Sequence, residues 1–200
     1  LPYAQIKFRK TMTLTVQHLL NAYYQGIFPM AHEDGNIYWY DPDPLTIIPL
    51  NNFHVPRRLA RTVRQGKFEV RIDHEFRGVM EACAERETSW ISNDIIDLYS
   101  ELHRLGFAHS VETWRDGNLV GGLYGVTLRG LFAGESMFSR ATDSSKIALV
   151  YLVQRLVAGG FVLLDTQFMT EHLRRFGTLE ISRDAYQQRL QIALQVPGVF

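Results

Sequence analysis

Two stretches of this 200-residue chain set chargeable side chains among residues built for burial: Gly134-Glu135-Ser136-Met137-Phe138-Ser139, and further on Leu163-Leu164-Asp165-Thr166-Gln167. Residues 161–168 read as a strand, on which side chains two apart share a face, so Asp165 and Gln167 are expected to point the same way. A carboxylate beside an amide on a rigid element, facing a second carboxylate from Glu135, is a pattern for chemistry more than for a core. Strand ends in α/β sheets are also where ligands are handled. One reading has Asp165 polarise Gln167, whose side-chain oxygen takes a proton from an attacking amine. A neutral amide is a weak base, so that role demands a strong hydrogen bond from its surroundings. The other reading has these groups position substrates, with proximity supplying most of the rate. Glu135 alone, between Phe132 and Met137, fits a buried ion pair as well as a ligand site.

The elements that hold these residues follow from caps, breakers and periodicity. Thr13 is expected to cap a helix running to Gln25, closed by Gly26, and a strand is expected over Ile37–Tyr40. Asp41-Pro42-Asp43-Pro44 forbids helix and marks the boundary between a small N-terminal domain, residues 1–44, and a second domain, residues 45–200. Pro56 opens a helix reaching Arg64; a strand at Phe68–Ile72 and a helix over Glu75–Ala84 follow, and Ser92 caps another helix to Leu105. From Ala108 to Ser139 the pattern is three strands with turns at Asp116-Gly117 and Arg129-Gly130. The helix from Ser144 to Val157 is apolar nearly all round and must be buried against a sheet. After the Asp165 strand, short helices near Thr170–Phe176 and Arg183–Leu194 end the chain. The fold class is α/β (α+β), a mixed sheet with helices on both faces. Its order resembles the acetyltransferase-like (GNAT) architecture, in which acyl transfer occurs where central strands splay.

Composition narrows the function. With 46% apolar and 12% aromatic residues the chain buries a full core, and 21 acids against 21 bases exclude a polyanion binder by overall charge. A lone cysteine, Cys83, excludes a disulfide framework and reads as a buried thiol in a reducing compartment. No apolar run is long enough to span a membrane and no charged-then-apolar leader precedes the first helix, so a cytoplasmic protein without a membrane partner is expected. No histidine has metal-ligand spacing, so no metal is expected. The junction before the buried helix, Ser139 to Lys146, has no glycine and carries Asp143, which disfavours a pyrophosphate cradle and hence CoA. Arg57, Arg58, Arg61, Arg64 and Lys67 fall within eleven residues free of acids. On a helix, Arg57, Arg61 and Arg64 form one stripe opposite Leu59 and Val63. Such a stripe is ordinarily a solvated face, but its unbroken sign favours phosphate.

Ordered motifs then accumulate: Tyr23-Tyr24-Gln25-Gly26-Ile27-Phe28-Pro29-Met30, Trp39-Tyr40-Asp41-Pro42-Asp43-Pro44, Ser89-Trp90-Ile91, Leu102-His103-Arg104-Leu105-Gly106, Ala108-His109-Ser110-Val111-Glu112 and Leu119-Val120-Gly121-Gly122-Leu123-Tyr124-Gly125-Val126. With the run Leu131 to Ser139 and Asp165-Thr166-Gln167, they resemble the bacterial leucyl/phenylalanyl-tRNA–protein transferases, over nearly the whole chain after about Thr13. The resemblance implies transfer of Leu, and less readily Phe or Met, from aminoacyl-tRNA to proteins beginning with Arg or Lys, marking them for N-degron degradation. It implies catalytic roles for Glu135, Asp165 and Gln167, and an apolar side-chain pocket at Leu123, Phe132, Leu149, Leu152, Leu156 and Leu164. It further implies stacking of the tRNA's terminal adenosine on Trp90 and Tyr99, with Met30 where the family often has Trp, and tRNA contact by Arg57, Arg61 and Arg64. No cofactor is implied, and a monomer is expected. Strict alternation separates Phe132 from Glu135, whereas the resemblance puts both at the pocket, so a bulge at Gly134 is expected. The competing assignments are a peptidoglycan-bridge aminoacyltransferase and a non-catalytic tRNA-binding module.

Overall fold

The computed structural model describes residues 4–7 (backbone only), 14–32, 34, 36–86 and 89–200. Strand β1 (Ala4–Lys7), helix α1 (Val16–Tyr24) and strands β2 (Phe28–Ala31) and β3 (Ile37–Asp41) open the chain. The three strands form one antiparallel sheet in the order β1-β3-β2. Thr15 caps α1 by accepting the His18 N–H, and Gly26, at φ 71°, lets the chain turn left-handed after it. The expected cap, Thr13, lies outside the described residues, and the helix starts two positions later than that reading requires.

Strand β4 (Leu45–Ile48) begins a second sheet, followed by α2 (Arg57–Arg64), β5 (Glu69–Ile72), α3 (Phe76–Ala84) and α4 (Asn93–Arg104). Then come the meander β6 (Ala108–Arg115), β7 (Asn118–Leu128) and β8 (Leu131–Ser139), helix α5 (Ser144–Ala158), β9 (Leu163–Gln167), α6 (Glu171–Arg174), β10 (Leu179–Ile181) and α7 (Arg183–Ala193). The sheet has seven strands in the order β10-β4-β9-β8-β7-β6-β5. Every neighbouring pair is antiparallel except β8–β9, so the sheet is mixed, as expected. Ser92 caps α4 and the meander turns fall at Asp116-Gly117 and Arg129-Gly130, both as expected.

Helices cover both faces. On one, Ile147, Leu149, Leu152, Val153 and Leu156 of α5 pack on Ile48, Leu123, Phe132 and Leu164. On the other, α1, α3, α4 and α7 bring Leu19, Tyr23, Val79, Met80, Ile95, Tyr99, Tyr186 and Leu190 against Tyr124, Val126, Ala133 and Leu163. Neighbours such as Leu123/Tyr124 and Leu163/Leu164 thus feed opposite faces, the two-residue period of a strand. Each large apolar side chain so buried stabilises the fold by roughly 1.5–3 kcal/mol. Gly121 lets the start of α5 reach β7, since a Cβ there would sit 2.3 Å from Ser144 Oγ.

Four strands escape the sequence patterns: β1, β2, β4 and β10. Each has four residues or fewer; β2 contains Pro29, and all four residues of β4 are buried and flanked by Pro44 and Pro49, so no alternation marks them.

Candidate active site

The site begins where β8 and β9 part. Their parallel ladder pairs Leu131 with Leu163, Phe132 with Leu164 and Ala133 with Asp165, and then stops. Beyond it, β8 stays paired with β7 but inserts one residue: Gly134 opposes Gly125 and Ser136 opposes Tyr124, leaving Glu135 as the extra residue of a bulge. Strand β9 ends at Gln167, whose φ of 56° is left-handed. A cavity of about 630 Å³ fills the opening between the two strands.

Because the sheet is split there, side chains of both faces reach the cavity. Leu123, Met137, Leu149, Leu152 and Leu164 line it from the α5 side, and Tyr124, Glu135 and Phe138 from the opposite side. The bulge expected at Gly134 is present, yet Phe132 and Glu135 remain on opposite faces. The opening between the strands, more than the bulge, connects the two faces.

Asp165 is buried, at 4% exposed. Its Oδ1 accepts the Gln167 backbone N–H at 2.8 Å, and its Oδ2 accepts the Tyr186 hydroxyl at 2.8 Å. The carboxylate therefore grips the backbone of Gln167 and leaves the side-chain amide untouched, which corrects the expected amide–carboxylate contact. Gln167, the last residue of the strand, departs from extended geometry with its left-handed φ of 56°. The Asp165 grip instead holds the left-handed turn that sets where the Gln167 side chain goes. That amide lines the cavity and makes no hydrogen bond to any described residue.

Glu135 Oε1 accepts the Tyr23 hydroxyl at 2.7 Å, and the Tyr23 hydroxyl in turn meets that of Tyr99. Burial pushes the Glu135 carboxyl up to about 8; the nearby Asp165 charge adds to this and the Tyr23 hydrogen bond opposes it. Burial raises Asp165 to about 6, with the Gln167 N–H, the Tyr186 hydroxyl and the Arg183 charge all opposing. At neutral pH Asp165 thus carries the negative charge while Glu135 mostly keeps its proton, an assignment set by the number of donors around each.

The other expected site residues divide. Leu123, Leu149, Leu152 and Leu164 line the cavity, whereas Phe132 and Leu156 are wholly buried behind it. Trp90 stands on the cavity wall with Arg86, whose guanidinium holds Ser136 Oγ at 3.2 Å and the Met137 carbonyl. Tyr99 is 0% exposed, with its hydroxyl on Tyr23, so it presents no stacking face to the cavity. Met30 sits opposite Tyr38 in the three-stranded sheet and does not line the cavity; its neighbour Ala31 donates its N–H to the Trp90 carbonyl at 3.2 Å. Arg57, Arg61 and Arg64 are exposed on α2, outside the cavity wall. Arg58 from the same cluster pairs with Asp143 at 3.0 Å, and Lys146 reaches the same carboxylate at 2.9 Å.

Sequence reasoning missed Tyr23, Tyr124, Tyr186, Arg86 and Lys146. Only Tyr124 had a local signal, standing between Gly122 and Gly125 in a strand where small residues mark close approach; a Cβ at Gly125 would lie 2.3 Å from the Phe132 ring. Among the described residues no group of His, Cys, Asp or Glu is arranged to hold a metal ion, and no helix is long and apolar enough to cross a membrane.

Comparison with known proteins adds to this geometry. The family profile described as leucyl/phenylalanyl-tRNA protein transferase matches residues 47–191, and the profile of that family's N-terminal domain matches residues 12–43. The leucyl/phenylalanyl-tRNA–protein transferase of Herpetosiphon aurantiacus is 60% identical over 191 residues, spanning 95% of this chain and 100% of that protein. The protein of the same name from Phenylobacterium zucineum is 58% identical over 188 residues, 91% of this chain and 85% of its own. Among solved structures, L-PGS from Bacillus licheniformis is similar at 13% identity and a TM-score of 0.42, covering 74% of this chain and 51% of that one.

Proposed function

The chain belongs to the leucyl/phenylalanyl-tRNA–protein transferase family and is an aminoacyltransferase, and from that premise we propose that it moves Leu, and less readily Phe or Met, from aminoacyl-tRNA onto the N-terminal amine of proteins beginning with Arg or Lys. The observation that carries this reading is the cavity between β8 and β9, an apolar chamber that opens beside Glu135 and Gln167.

In this reading the leucyl side chain enters the chamber lined by Leu123, Leu149, Leu152 and Leu164. Such a wall, without polar partners, accepts several apolar side chains of similar size and rejects charged ones. The acceptor amine attacks the ester carbonyl from the Gln167 side. The Gln167 side-chain oxygen accepts an N–H of the attacking amine, and Asp165, through the backbone N–H it grips, holds Gln167 in place. Glu135 orients substrate groups at the other wall. An activated ester drives peptide-bond formation, so placing the two reactants and removing a proton are the tasks left to the protein, and no cofactor is needed. Trp90 offers the terminal adenosine a stacking surface, and the α2 arginines meet tRNA phosphates. Residues 1–44 act as a small domain that completes the Trp90 side, and the enzyme works as a cytoplasmic monomer.

The test supplies radiolabelled Leu-tRNA with peptides beginning Arg, Lys or Ala. Label on the Arg and Lys peptides alone is the expected result; equal labelling of all three, or of none, overturns the assignment.

A further inference from the structure

Four buried tyrosines surround the two carboxylates. Tyr23, Tyr99 and Tyr186 each spend their hydroxyl on a partner, Glu135, Tyr23 and Asp165 respectively. Tyr124 does not. It is 0% exposed, and its hydroxyl has no hydrogen-bond partner among the described residues. Its ring is fixed edge-on against Phe76 and Tyr99, with centroids 5.9 Å away in each case. A buried hydroxyl left unpaired weakens a fold, and phenylalanine would pack the same ring without that cost. Tyr124 belongs to the cavity wall together with Glu135 and Gln167, with its hydroxyl buried just behind the surface. Burial and the adjacent Glu135 hold the phenol well above its ordinary range, so it stays protonated and serves as a donor.

We propose, resting on the acyl-transfer reading above, that the Tyr124 hydroxyl donates a hydrogen bond to the carbonyl oxygen of the aminoacyl ester and to the oxyanion that this oxygen becomes. Leu123, the preceding residue of β7, lines the chamber for the donor's side chain, and the ester carbonyl is one bond from the Cα carrying that side chain. Leu123 and Tyr124 thus bring the chamber wall and the unpartnered phenol to the same cavity from opposite faces of one strand. Gln167, whose Nε2 is likewise buried and unpartnered among the described residues, lines the same cavity and offers a second donor. In the step itself the amine lone pair forms the C–N bond and the carbonyl π pair moves onto oxygen, where Tyr124 stabilises it without giving up its proton. Collapse restores C=O and breaks the bond to the ribose oxygen, which leaves as a hydroxyl with the proton lost by the amine. Ester and amine become amide and alcohol, and nothing else is consumed.

The experiment is Tyr124→Phe, assayed with Leu-tRNA and an Arg-initiated peptide beside the wild type. The expected result is a kcat lower by about 10²–10³-fold, as for loss of one oxyanion donor, with KM for both substrates little changed. The pH profile should keep its shape, and thermal stability should hold or rise, because no hydrogen bond within the fold is lost. A kcat within about threefold of wild type, a loss confined to KM, or a drop of several degrees in Tm accounting for the lost activity overturns the proposal. If the wild type itself transfers nothing, the acyl-transfer reading falls and this one with it; an active wild type and an equally active variant overturn this one alone.

Discussion

Asp165 keeps its charge at neutral pH because two donors reach it, and one of them, the Tyr186 hydroxyl at 2.8 Å, comes from a separate helix. Tyr186→Phe removes that donor and leaves the ring, which packs so closely on Gly26 that a Cβ there would lie 2.6 Å from it. A hydrogen bond to a buried charge contributes about 1.5–3 kcal/mol, and about 1.4 kcal/mol corresponds to one pKa unit, so the carboxyl should climb by roughly one to two units. Starting from about 6, the ionised fraction at pH 7 falls from about nine-tenths to between about one-half and one-tenth. A protonated Asp165 holds the Gln167 N–H weakly, and the left-handed turn that aims the amide loosens. The assay is single-turnover transfer of leucine from Leu-tRNA to an Arg-initiated peptide, followed from about pH 5.5 to about pH 8.5. The acceptor amine titrates identically with both enzymes, so the variant-to-wild-type ratio isolates Asp165. That ratio should approach one at the alkaline end and fall towards acid, with a midpoint displaced upward by roughly one to two units. A ratio independent of pH would show that Tyr186 does not set the Asp165 charge, and the reasoning would fail.

The raised Glu135 carboxyl makes a stability prediction with a definite sign. Between its ordinary value of 4.5 and about 8 the folded chain holds a proton that the unfolded chain releases, so stability falls as pH rises through that window, by at most about 1.4 kcal/mol per unit. Glu135→Gln should flatten the fall above about pH 6, leaving below it the contribution of Asp165; urea unfolding at several pH values reads the slope, and an unchanged slope refutes the assignment. Leu149→Val removes a methylene from the chamber wall and should raise the kcat/KM ratio of Phe-tRNA to Leu-tRNA by several-fold to about tenfold; an unchanged ratio takes Leu149 out of the specificity wall. Replacing Arg57, Arg61 and Arg64 with alanine should weaken tRNA binding and reduce the slope of log K against log salt by about two to three, whereas a wild-type slope removes α2 from the interface.

The sequence made the long elements legible because their signals are local: the Ser92 cap, the glycines of the meander turns and the largely apolar α5 each act within a few residues. Strands β2 and β4 have no such signal, since β2 contains a proline and β4 is buried along its whole length. The same distinction runs through the site. Glu135, Asp165 and Gln167 stood out because polar groups in apolar runs are costly, but their partners lie elsewhere in the chain. Tyr23 reaches Glu135 across 112 residues and Tyr186 reaches Asp165 across 21. Those partners decide which acid is charged. Two carboxyls beside one cavity resist ionising together, and the tie is broken by donors: a backbone N–H, a hydroxyl and a nearby arginine favour the charge on Asp165, against one tyrosine on Glu135. The backbone donor belongs to Gln167, so the charge and the placement of the amide depend on one hydrogen bond. Neutralising Asp165 and misplacing Gln167 are therefore a single event, and a variant that does one without the other would show that the two groups act separately.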